Sequence, residues 1–317
     1  MNNLAEVLEG VRTVGIAGHI RPDGDCVGSC MALYLYLKKS YPMLRTDIYL
    51  DDPPDVFEYL EGFDEIRRET GEPFEYDLFL LCDVSATDRI GLAECYFQNA
   101  KRTVCIDHHI SNDGFADLNV IRSDASSACE VLYALMDPEK IDKSIATALY
   151  TGIIHDSGVF QYKNTTVETM LTAATLMAYD IPFSKIIDES FYEKTYIQNQ
   201  VMGRVLAESI MLLDGRCIVG WVRYKDMDFY GITSKDLDGI VAQLRLTKGV
   251  EAAIFMYEME PQFYKVSMRS NGDVDVRAVA CFFGGGGHLR ASGCSMHGSV
   301  YDVINNLVEQ IEKQLEN

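Results

Sequence analysis

The sequence contains no apolar run that approaches the roughly 18 uncharged residues of a membrane-spanning helix. It also lacks an N-terminal stretch that joins a basic segment to an apolar run and a small-residue cleavage site. Its nine cysteines are odd in number and include no CxxC pair, which argues against a disulfide framework or a zinc ribbon. We therefore expect reduced thiols in a cytoplasmic protein.

Positive charge is also scarce. The 317 residues include 28 Lys and Arg against 48 Asp and Glu, which gives a net charge of −20 at pH 7. A protein that holds long nucleic acid needs a broad basic surface, and this composition does not offer one globally. Residues 261–300 depart from the trend, with four basic residues against two acidic ones: Lys265, Arg269, Arg277 and Arg290 against Asp273 and Asp275. This distribution fits a small anionic ligand and excludes long duplex nucleic acid and membranes as expected partners.

Apolar spacing in the first half predicts short strands that alternate with helices. Strands are predicted at 11–19, 46–52, 77–83 and 102–109, and helices at 28–39, 125–136 and 145–156. Near-continuous apolar strands separated by helices indicate an α/β fold with a mainly parallel sheet flanked by helices. In such sheets, ligands bind beyond the carboxyl ends of the strands.

The second half begins a separate pattern. After an amphipathic helical stretch, strands are predicted at 216–224, 250–258 and 263–270, and a closing helix at 301–316. We divide the chain into a domain at 1–185, a linker helix at 186–212 and a smaller C-terminal α/β domain at 213–317. The cleft between the two domains is the expected position of a substrate.

Histidines and aspartates cluster where the predicted strands stop. The stretches GHIRPDGDCVG, LLCDVSATDRIG, CIDHHISND and YTGIIHDSGVF supply His19, Asp23, Asp25, Asp83, Asp107, His108, His109 and Asp156. Each stretch alone has a simpler explanation: a polar turn, an Asp-rich helix cap, or a buried Asp bonded to the backbone. Carboxylates this close would repel one another without a cation, whereas mixed oxygen and nitrogen donors can wrap one. Together the stretches predict a metal site.

Four motifs in order, HIRPDGD, CDVSATDRIG, IDHH and GIIHDSG, resemble the metal-binding motifs of the DHH phosphoesterase family over roughly residues 15–160. The stretch FFGGGGHLRASG at 282–293, with VSMRSNGDVDV before it, resembles the DHH-associated C-terminal domain. Length and layout are similar to those of the bifunctional oligoribonuclease and pAp phosphatase branch. One departure is HDSG where the family often has DTG, a conservative change that should leave metal binding intact.

The resemblance implies two divalent ions, one held by His19, Asp23 and Asp83, the other by Asp25, Asp83, His108 and Asp156. Asp83 would bridge the two. Four carboxylates and two neutral imidazoles balance two dications, and ligation without thiolate suits Mn²⁺ or Mg²⁺ better than Zn²⁺, with Mn²⁺ the first choice. Two such ions would activate a shared water for attack on phosphorus.

The resemblance also assigns the catalytic set, which is Asp83, Asp107, His108 and His109. Asp107 would fix the ring of His108, and His109 would contact a substrate phosphate oxygen. Within the tripeptide at 107–109, the first residue would orient a ring, the second would ligate a metal ion and the third would contact the substrate.

The glycine-rich stretch would bind the end of the nucleotide that lies away from the scissile bond. Backbone N–H groups of Gly285, Gly286 and Gly287 could approach a phosphate closely, and His288 would stack or donate a hydrogen bond. Arg269, which ends a predicted strand, could fork onto a terminal phosphate. A flexible turn is the plain alternative for the glycines.

Other polar residues have structural explanations. Cys26 and Cys30 lie four residues apart on an apolar helix and are predicted to be core residues, not zinc ligands. Ser126 and Ser127 are similar to a family serine pair near the substrate, but they could equally cap the helix that follows them. His155 is predicted to be structural.

The resulting hypothesis is a hydrolase that cleaves very short oligonucleotides, including linear dinucleotides such as pApA, and removes a phosphate from pAp. Three alternatives are open: an inorganic pyrophosphatase or polyphosphatase, a RecJ-like single-strand exonuclease, and a nucleotide-binding sensor with a silent metal site. The glycine-rich motif disfavours the first, chain length the second, and the complete ligand set the third. Homodimer formation is left open.

Overall fold

The computed structural model describes residues 3–316, which form two compact units, one ending at Glu193 and one beginning at Lys194. Each unit has its own sheet and its own apolar core. Within the described residues, no helix combines the length and the apolar character needed to cross a membrane.

The sheet of the first unit has five parallel strands. They are β1 (Thr13–Ala17), β2 (Arg45–Tyr49), β3 (Leu78–Cys82), β4 (Thr103–Asp107) and β5 (Leu118–Ile121). Their order across the sheet is β2-β1-β3-β4-β5, and every neighbouring pair is parallel. The predicted parallel α/β fold is therefore confirmed, with β5 as a strand that the apolar spacing did not indicate.

The helices of the first unit are α1 (Ala5–Leu8), α2 (Gly24–Ser40), α3 (Glu94–Asn99), α4 (Ala128–Leu135), α5 (Lys143–Asp156), α6 (Val167–Met177) and α7 (Phe183–Ile187). Connections contain 3₁₀ turns at Asp55–Phe57, Phe63–Glu65, Thr87–Arg89, Gly91–Ala93 and Pro138–Lys140, and α7 runs into a π-helical turn at Asp188–Tyr192. Helix α2 is buried from Gly24 to Leu37 because it packs between the sheet and helices α4 and α5.

The second unit is built on a mixed sheet. Its strands are β6 (Ile210–Leu212), β7 (Cys217–Val222), β8 (Ala252–Glu260), β9 (Phe263–Ser270), β10 (Gly286–His288) and β11 (Ala291–His297), in the order β10-β11-β9-β8-β7-β6. Only the β7–β8 pair is parallel among these described strands. Its helices are α8 (Tyr196–Glu208), α9 (Tyr224–Tyr230), α10 (Ile240–Arg245), α11 (Val276–Phe282) and α12 (Val300–Leu315), with a 3₁₀ turn at Ser234–Leu237.

The prediction of one continuous linker helix at 186–212 is wrong. The π-helical turn ends at Tyr192, Glu193 is extended, and α8 starts anew after Thr195. Thr195 caps α8 in a capping box, because its hydroxyl accepts from the Gln198 N–H while the Gln198 side chain accepts from the Thr195 N–H. The division between the compact units therefore falls at Glu193, later than the predicted boundary at 185.

Candidate metal centre

Three neighbouring strands of the first sheet end in polar side chains. His19 follows β1, Asp83 directly follows β3, and Asp107 is the last residue of β4, with His108 next to it. Because β1, β3 and β4 are adjacent and parallel, these residues share the carboxyl edge of the sheet.

Two helix ends bring three further aspartates to this edge. Asp23 is the N-cap of α2, and its carboxylate accepts from the backbone N–H groups of Asp25 and Cys26, both at 3.1 Å. The capping role of Asp23 is therefore observed, while its role as a metal ligand stays a prediction. Asp25 lies in the first turn of α2, and Asp156 is the last residue of α5.

His19 directs one ring nitrogen at two carboxylates. Its Nδ1 lies 2.8 Å from the carbonyl oxygen of Ile20, which can only accept, so Nδ1 carries the hydrogen. Its Nε2 lies 3.3 Å from Asp83 Oδ2 and 3.7 Å from Asp23 Oδ1. Burial lowers the pKa of His19, but hydrogen bonds to Asp23 and Asp83 outweigh it and raise the pKa, so without a bound ion the contacts suit a protonated ring. With a metal ion between the two carboxylates, a neutral ring in this tautomer would direct its Nε2 lone pair at the ion.

Asp83 stands between the two histidines. Its Oδ2 faces His19, while its Oδ1 lies 3.6 Å from His108 Nε2. The same His108 nitrogen lies 3.1 Å from Asp156 Oδ2 and 3.9 Å from Asp25 Oδ2. The structure thus brings the six predicted ligands together, with the oxygens of Asp83 turned to two different groups.

The electrostatics of this cluster favour the binding of a cation. Burial, and then the charge of Asp25, raise the pKa of Asp83 well above its usual range. Burial and neighbouring carboxylates also raise the pKa of Asp25 and of Asp156 to about 7. Asp83 Oδ1 is buried without a hydrogen-bond partner. Oxygen and imidazole donors with excess buried negative charge fit a hard or borderline divalent ion.

Cys26 places a thiol beside the centre. Its Sγ lies within 4.8 Å of ligand atoms of His19 and Asp83, so distance alone does not exclude it as a ligand. Cys26 and Cys30 are fully buried in the apolar core of the first unit, as predicted. The Cys26 sulfur also accepts a hydrogen bond from the His19 backbone N–H at 3.2 Å, which gives it a structural role.

The role predicted for Asp107 needs a correction. Its Oδ1 lies 2.8 Å from His109 Nδ1 and accepts from the His108 backbone N–H at 2.8 Å, so it holds the His109 ring and not the His108 ring. The turn after β4 directs the His109 ring back over Asp107, while the His108 ring extends to Asp156. The hydrogen bond to Asp107 raises the pKa of His109.

Two residues near the centre, Asn112 and Arg89, do not belong to the set predicted from the sequence. Asn112 is buried, and its amide donates to Asp107 Oδ2 at 2.7 Å and to the Val84 carbonyl at 3.0 Å. Arg89 places Nη2 3.3 Å from His19 Nδ1, which brings a guanidinium beside the cluster. Both lie in stretches singled out from the sequence, CIDHHISND and CDVSATDRIG, so closer attention to their remaining polar residues could have identified them.

Removal of the Asn112 amide is expected to destabilise the protein. In Asn112→Ala, Asp107 Oδ2 would lose its donor in a buried position, at a cost of about 1–3 kcal/mol. We expect the free energy of unfolding, measured with urea, to fall by that amount. In the control Asn119→Ala, the lost amide bonds only the Ala116 backbone, so the loss should be smaller. An equal decrease in the free energy of unfolding in both variants would contradict a larger stabilising role for the Asn112 hydrogen bond to Asp107.

Asp25 is anchored at the start of a helix. Its Oδ1 and Oδ2 accept from the backbone N–H groups of Cys129 and Ala128 in the first turn of α4, at 3.0 and 2.5 Å. Ser127 caps this helix by accepting from the Glu130 N–H. Ser126 is also fully buried and donates to the Glu130 carboxylate at 2.6 Å. Both serines thus have structural partners, and the N–H groups of α4 hold Asp25 in place.

In the second unit, strand register aligns the predicted substrate-binding residues. His288 on β10 pairs with Ala291 on β11, and Ala291 pairs with Arg269 on β9. Directly paired residues point to the same face, and neighbouring strands lie about 4.8 Å apart. His288 and Arg269 therefore share one face of the sheet, two strand spacings apart. Arg269 Nη1 also donates to the Met268 carbonyl at 3.0 Å.

The glycine-rich stretch is ordered by strand pairing. A Cβ on Gly285 would overlap the Gly293 carbonyl oxygen, and one on Gly287 would lie 2.6 Å from the Ala291 carbonyl oxygen. These two glycines are therefore required for the close approach of β10 to β11. Gly286 faces open space instead, so its backbone is accessible. A merely flexible turn does not explain this arrangement.

Comparison with known families agrees with the two units. The DHH family, N-terminal domain, matches residues 13–153, and the DHHA1 domain matches residues 214–317. These matches extend over most of the chain and occur in the order expected from the motifs. The chain therefore carries a DHH family N-terminal domain followed by a DHHA1 domain, which confirms the resemblance.

Relatives match this chain over nearly its full length. The bifunctional oligoribonuclease and PAP phosphatase NrnA of Bacillus subtilis is 26% identical over 305 residues, which cover 95% of this chain and 94% of that protein. The NrnA proteins of Thermus thermophilus and Mycoplasma pneumoniae are 28% and 29% identical over 99% of this chain and 94% and 97% of those proteins.

A solved structure has the same fold. It is the crystal structure of an exopolyphosphatase-related protein from Bacteroides fragilis, with a TM-score of 0.90 at 24% identity. The match covers 98% of this chain and 94% of that chain. At this identity the likeness establishes the fold alone.

Proposed function

We propose that this protein is a metal-dependent phosphoesterase that hydrolyses very short oligonucleotides to nucleoside monophosphates and dephosphorylates pAp to AMP. The observation that carries the proposal is the cluster of carboxylates and imidazoles around Asp83 in a DHH domain. The names of the NrnA relatives, oligoribonuclease and PAP phosphatase, support the substrate class.

Two divalent ions are proposed, one held by His19, Asp23 and Asp83, and one held by Asp25, Asp83, His108 and Asp156. Mn²⁺ is the first choice and Mg²⁺ the second, because the proposed ligands are carboxylates and imidazoles. When bound, such ions would lower the pKa of water and stabilise negative charge on the phosphoryl group.

His109 is proposed to hold the scissile phosphate. Its Nδ1 proton is bound by Asp107, so Nε2 is the ring nitrogen available to a phosphate oxygen. The carboxylate of Asp107 favours the protonated ring, which would place positive charge beside the phosphate. The guanidinium of Arg89, next to His19, is proposed to add to this charge.

The second unit is proposed to bind the nucleotide end away from the scissile bond. Arg269 and His288 share one face of its sheet, and the backbone at Gly286 is open to a ligand. An arginine fork can bind a terminal phosphate through two hydrogen bonds, and an imidazole can stack on a base or donate to the phosphate. Short substrates suit this proposal because only a local basic patch is present.

A substrate panel tests the proposed function. With Mn²⁺ present, we expect AMP from pApA, AMP and orthophosphate from pAp, and no orthophosphate from pyrophosphate or polyphosphate. Orthophosphate from pyrophosphate alone would support a pyrophosphatase instead. Nucleotide binding without any turnover would support the sensor hypothesis.

Chain length provides a further prediction. With a net charge of −20, the protein has little basic surface for tracking a long strand. We expect the initial rate to be highest on a dinucleotide, lower on a pentanucleotide and lowest on a long single strand, as measured by monophosphate release. Processive digestion of the long strand would contradict this and favour a RecJ-like exonuclease.

A further inference from the structure

His155, the residue immediately before Asp156, is enclosed by side chains from two other segments. The rings of Phe57 and Phe191 meet it edge-on, with centroid distances of 5.1 and 5.4 Å. Ser190 places its Oγ 3.0 Å from His155 Nε2. Ser190 and Phe191 both lie in the π-helical turn Asp188–Tyr192, an element that is frequent at functional sites.

The hydrogen bonds around Ser190 fix the orientation of the imidazole. The Ser190 hydroxyl donates its single proton to the Ile186 carbonyl oxygen at 2.6 Å. Its oxygen can therefore only accept from His155, so the hydrogen lies on Nε2. The opposite side of the ring, with Nδ1, is directed toward Gly24.

Gly24 packs directly on this ring. A Cβ at position 24 would overlap Cγ of His155 and lie 2.6 Å from its Nδ1. Gly24 lies between Asp23 and Asp25, two of the proposed metal ligands, and is the first residue of α2. The ring therefore forms the surface against which the backbone of the ligand-bearing loop rests.

We propose that His155 is a positioning residue that sets the spacing between Asp156 and the loop carrying Asp23 and Asp25, and thereby the affinity for the second divalent ion. Asp25 and Asp156 are both proposed ligands of that ion. His155 packs against the backbone of Gly24, which precedes Asp25, and is itself the residue that precedes Asp156 in the chain. The inference rests on the metal assignment in the proposed function. It differs from a purely structural role because it predicts a change in metal affinity.

Metal binding to the metal-free protein tests the inference without any substrate. Mn²⁺ titration by calorimetry should show that His155→Ala lowers the affinity for the second ion at least tenfold, while the affinity for the first ion falls less. His155→Phe keeps the ring against Gly24 but loses the bond to Ser190, and Ser190→Ala loses only that bond. We expect both of these variants to show an intermediate loss of affinity.

A matched control separates positioning from general stability. Tyr34→Phe removes a hydroxyl that donates to Glu65 at 2.6 Å from a position further along α2. We expect it to lower the unfolding temperature without changing Mn²⁺ affinity. If His155→Ala is unfolded, His155→Phe and Ser190→Ala decide the matter. Wild-type affinity for both ions in folded His155→Phe and Ser190→Ala would overturn the inference.

Failure of the inference and failure of the proposed function give different results. If the wild-type protein binds Mn²⁺ but hydrolyses no nucleotide, the function is wrong, while the order of metal affinities still supports the role of His155. If pApA is hydrolysed and the variants bind both ions as the wild type does, the function stands and the positioning role is wrong.

Discussion

Replacement of Asp83 by asparagine is expected to abolish Mn²⁺-dependent hydrolysis of pApA, with a loss of at least about a thousandfold in kcat. The two oxygens of Asp83 face His19 on one side and His108 on the other, so an amide would remove charge from both proposed ion sites. A thousandfold loss corresponds to about 4 kcal/mol of transition-state stabilisation. Steady-state AMP release measures it.

The same substitution should not weaken the metal-free fold. Burial and the charge of Asp25 raise the pKa of Asp83 in the folded protein. A carboxyl with a raised folded pKa destabilises the fold as pH rises above its unfolded pKa of about 3.9, because the unfolded chain ionises more readily. A neutral amide removes this penalty at pH 7. We expect an unfolding temperature at least equal to that of the wild type, without the increase that Mn²⁺ gives the wild type.

Asp88→Asn is the matched control for this experiment. Asp88 is exposed in the 3₁₀ turn Thr87–Arg89, in the same segment as Asp83. The control makes the same chemical change outside the cluster, so it should retain wild-type activity and wild-type stabilisation by Mn²⁺. Normal Mn²⁺-dependent turnover in folded Asp83→Asn would contradict the bridging assignment.

The second large effect is expected for Arg269→Ala. If Arg269 binds a terminal phosphate as proposed, the substitution removes charge-assisted hydrogen bonds to the substrate, each worth roughly 1.5–3 kcal/mol when desolvated. Because about 1.4 kcal/mol is a tenfold change, kcat/KM on pApA should fall by about one to two orders of magnitude. A generic activated phosphodiester that makes no contact with the second unit should be cleaved as before. His108→Ala should lose both activities together.

Arg216→Ala controls for the loss of one positive charge. Arg216 precedes β7, which lies toward the opposite edge of the sheet from β10 and β11. Its replacement should therefore leave both activities unchanged. Unfolding temperatures check each fold, because the charge of Arg269 also acts on the carboxylate of Asp238. Unchanged pApA hydrolysis in Arg269→Ala, or equal loss of both activities in a folded protein, would contradict the proposed substrate grip.

Much of the centre could be predicted because parallel strands align their ends. The positions where apolar runs stop gave His19, Asp83 and Asp107, and adjacency of β1, β3 and β4 brings those ends together. The partner of Asp107 could not be predicted in this way. Which ring faces its carboxylate depends on the turn after β4, and a buried amide from Asn112 completes that arrangement.

The break before α8 is indicated in the sequence by a helix-capping motif, which the apolar spacing does not show. Amphipathic spacing continues across 186–212, but Thr195 and Gln198 have the spacing of a capping box, which marks a new helix start. The contact of His155 with Gly24 has no comparable signal. It joins residues far apart in the chain and depends on the packing of α5 against α2.

AMP release from pApA by the metal-free protein, followed while Mn²⁺ is added, tests the central claim most directly. A two-ion centre predicts no release before Mn²⁺ is added and a rate that saturates when two ions are bound per chain. Hydrolysis that persists in the presence of a chelator, or that saturates with a single ion bound, would contradict a two-ion centre built on Asp83.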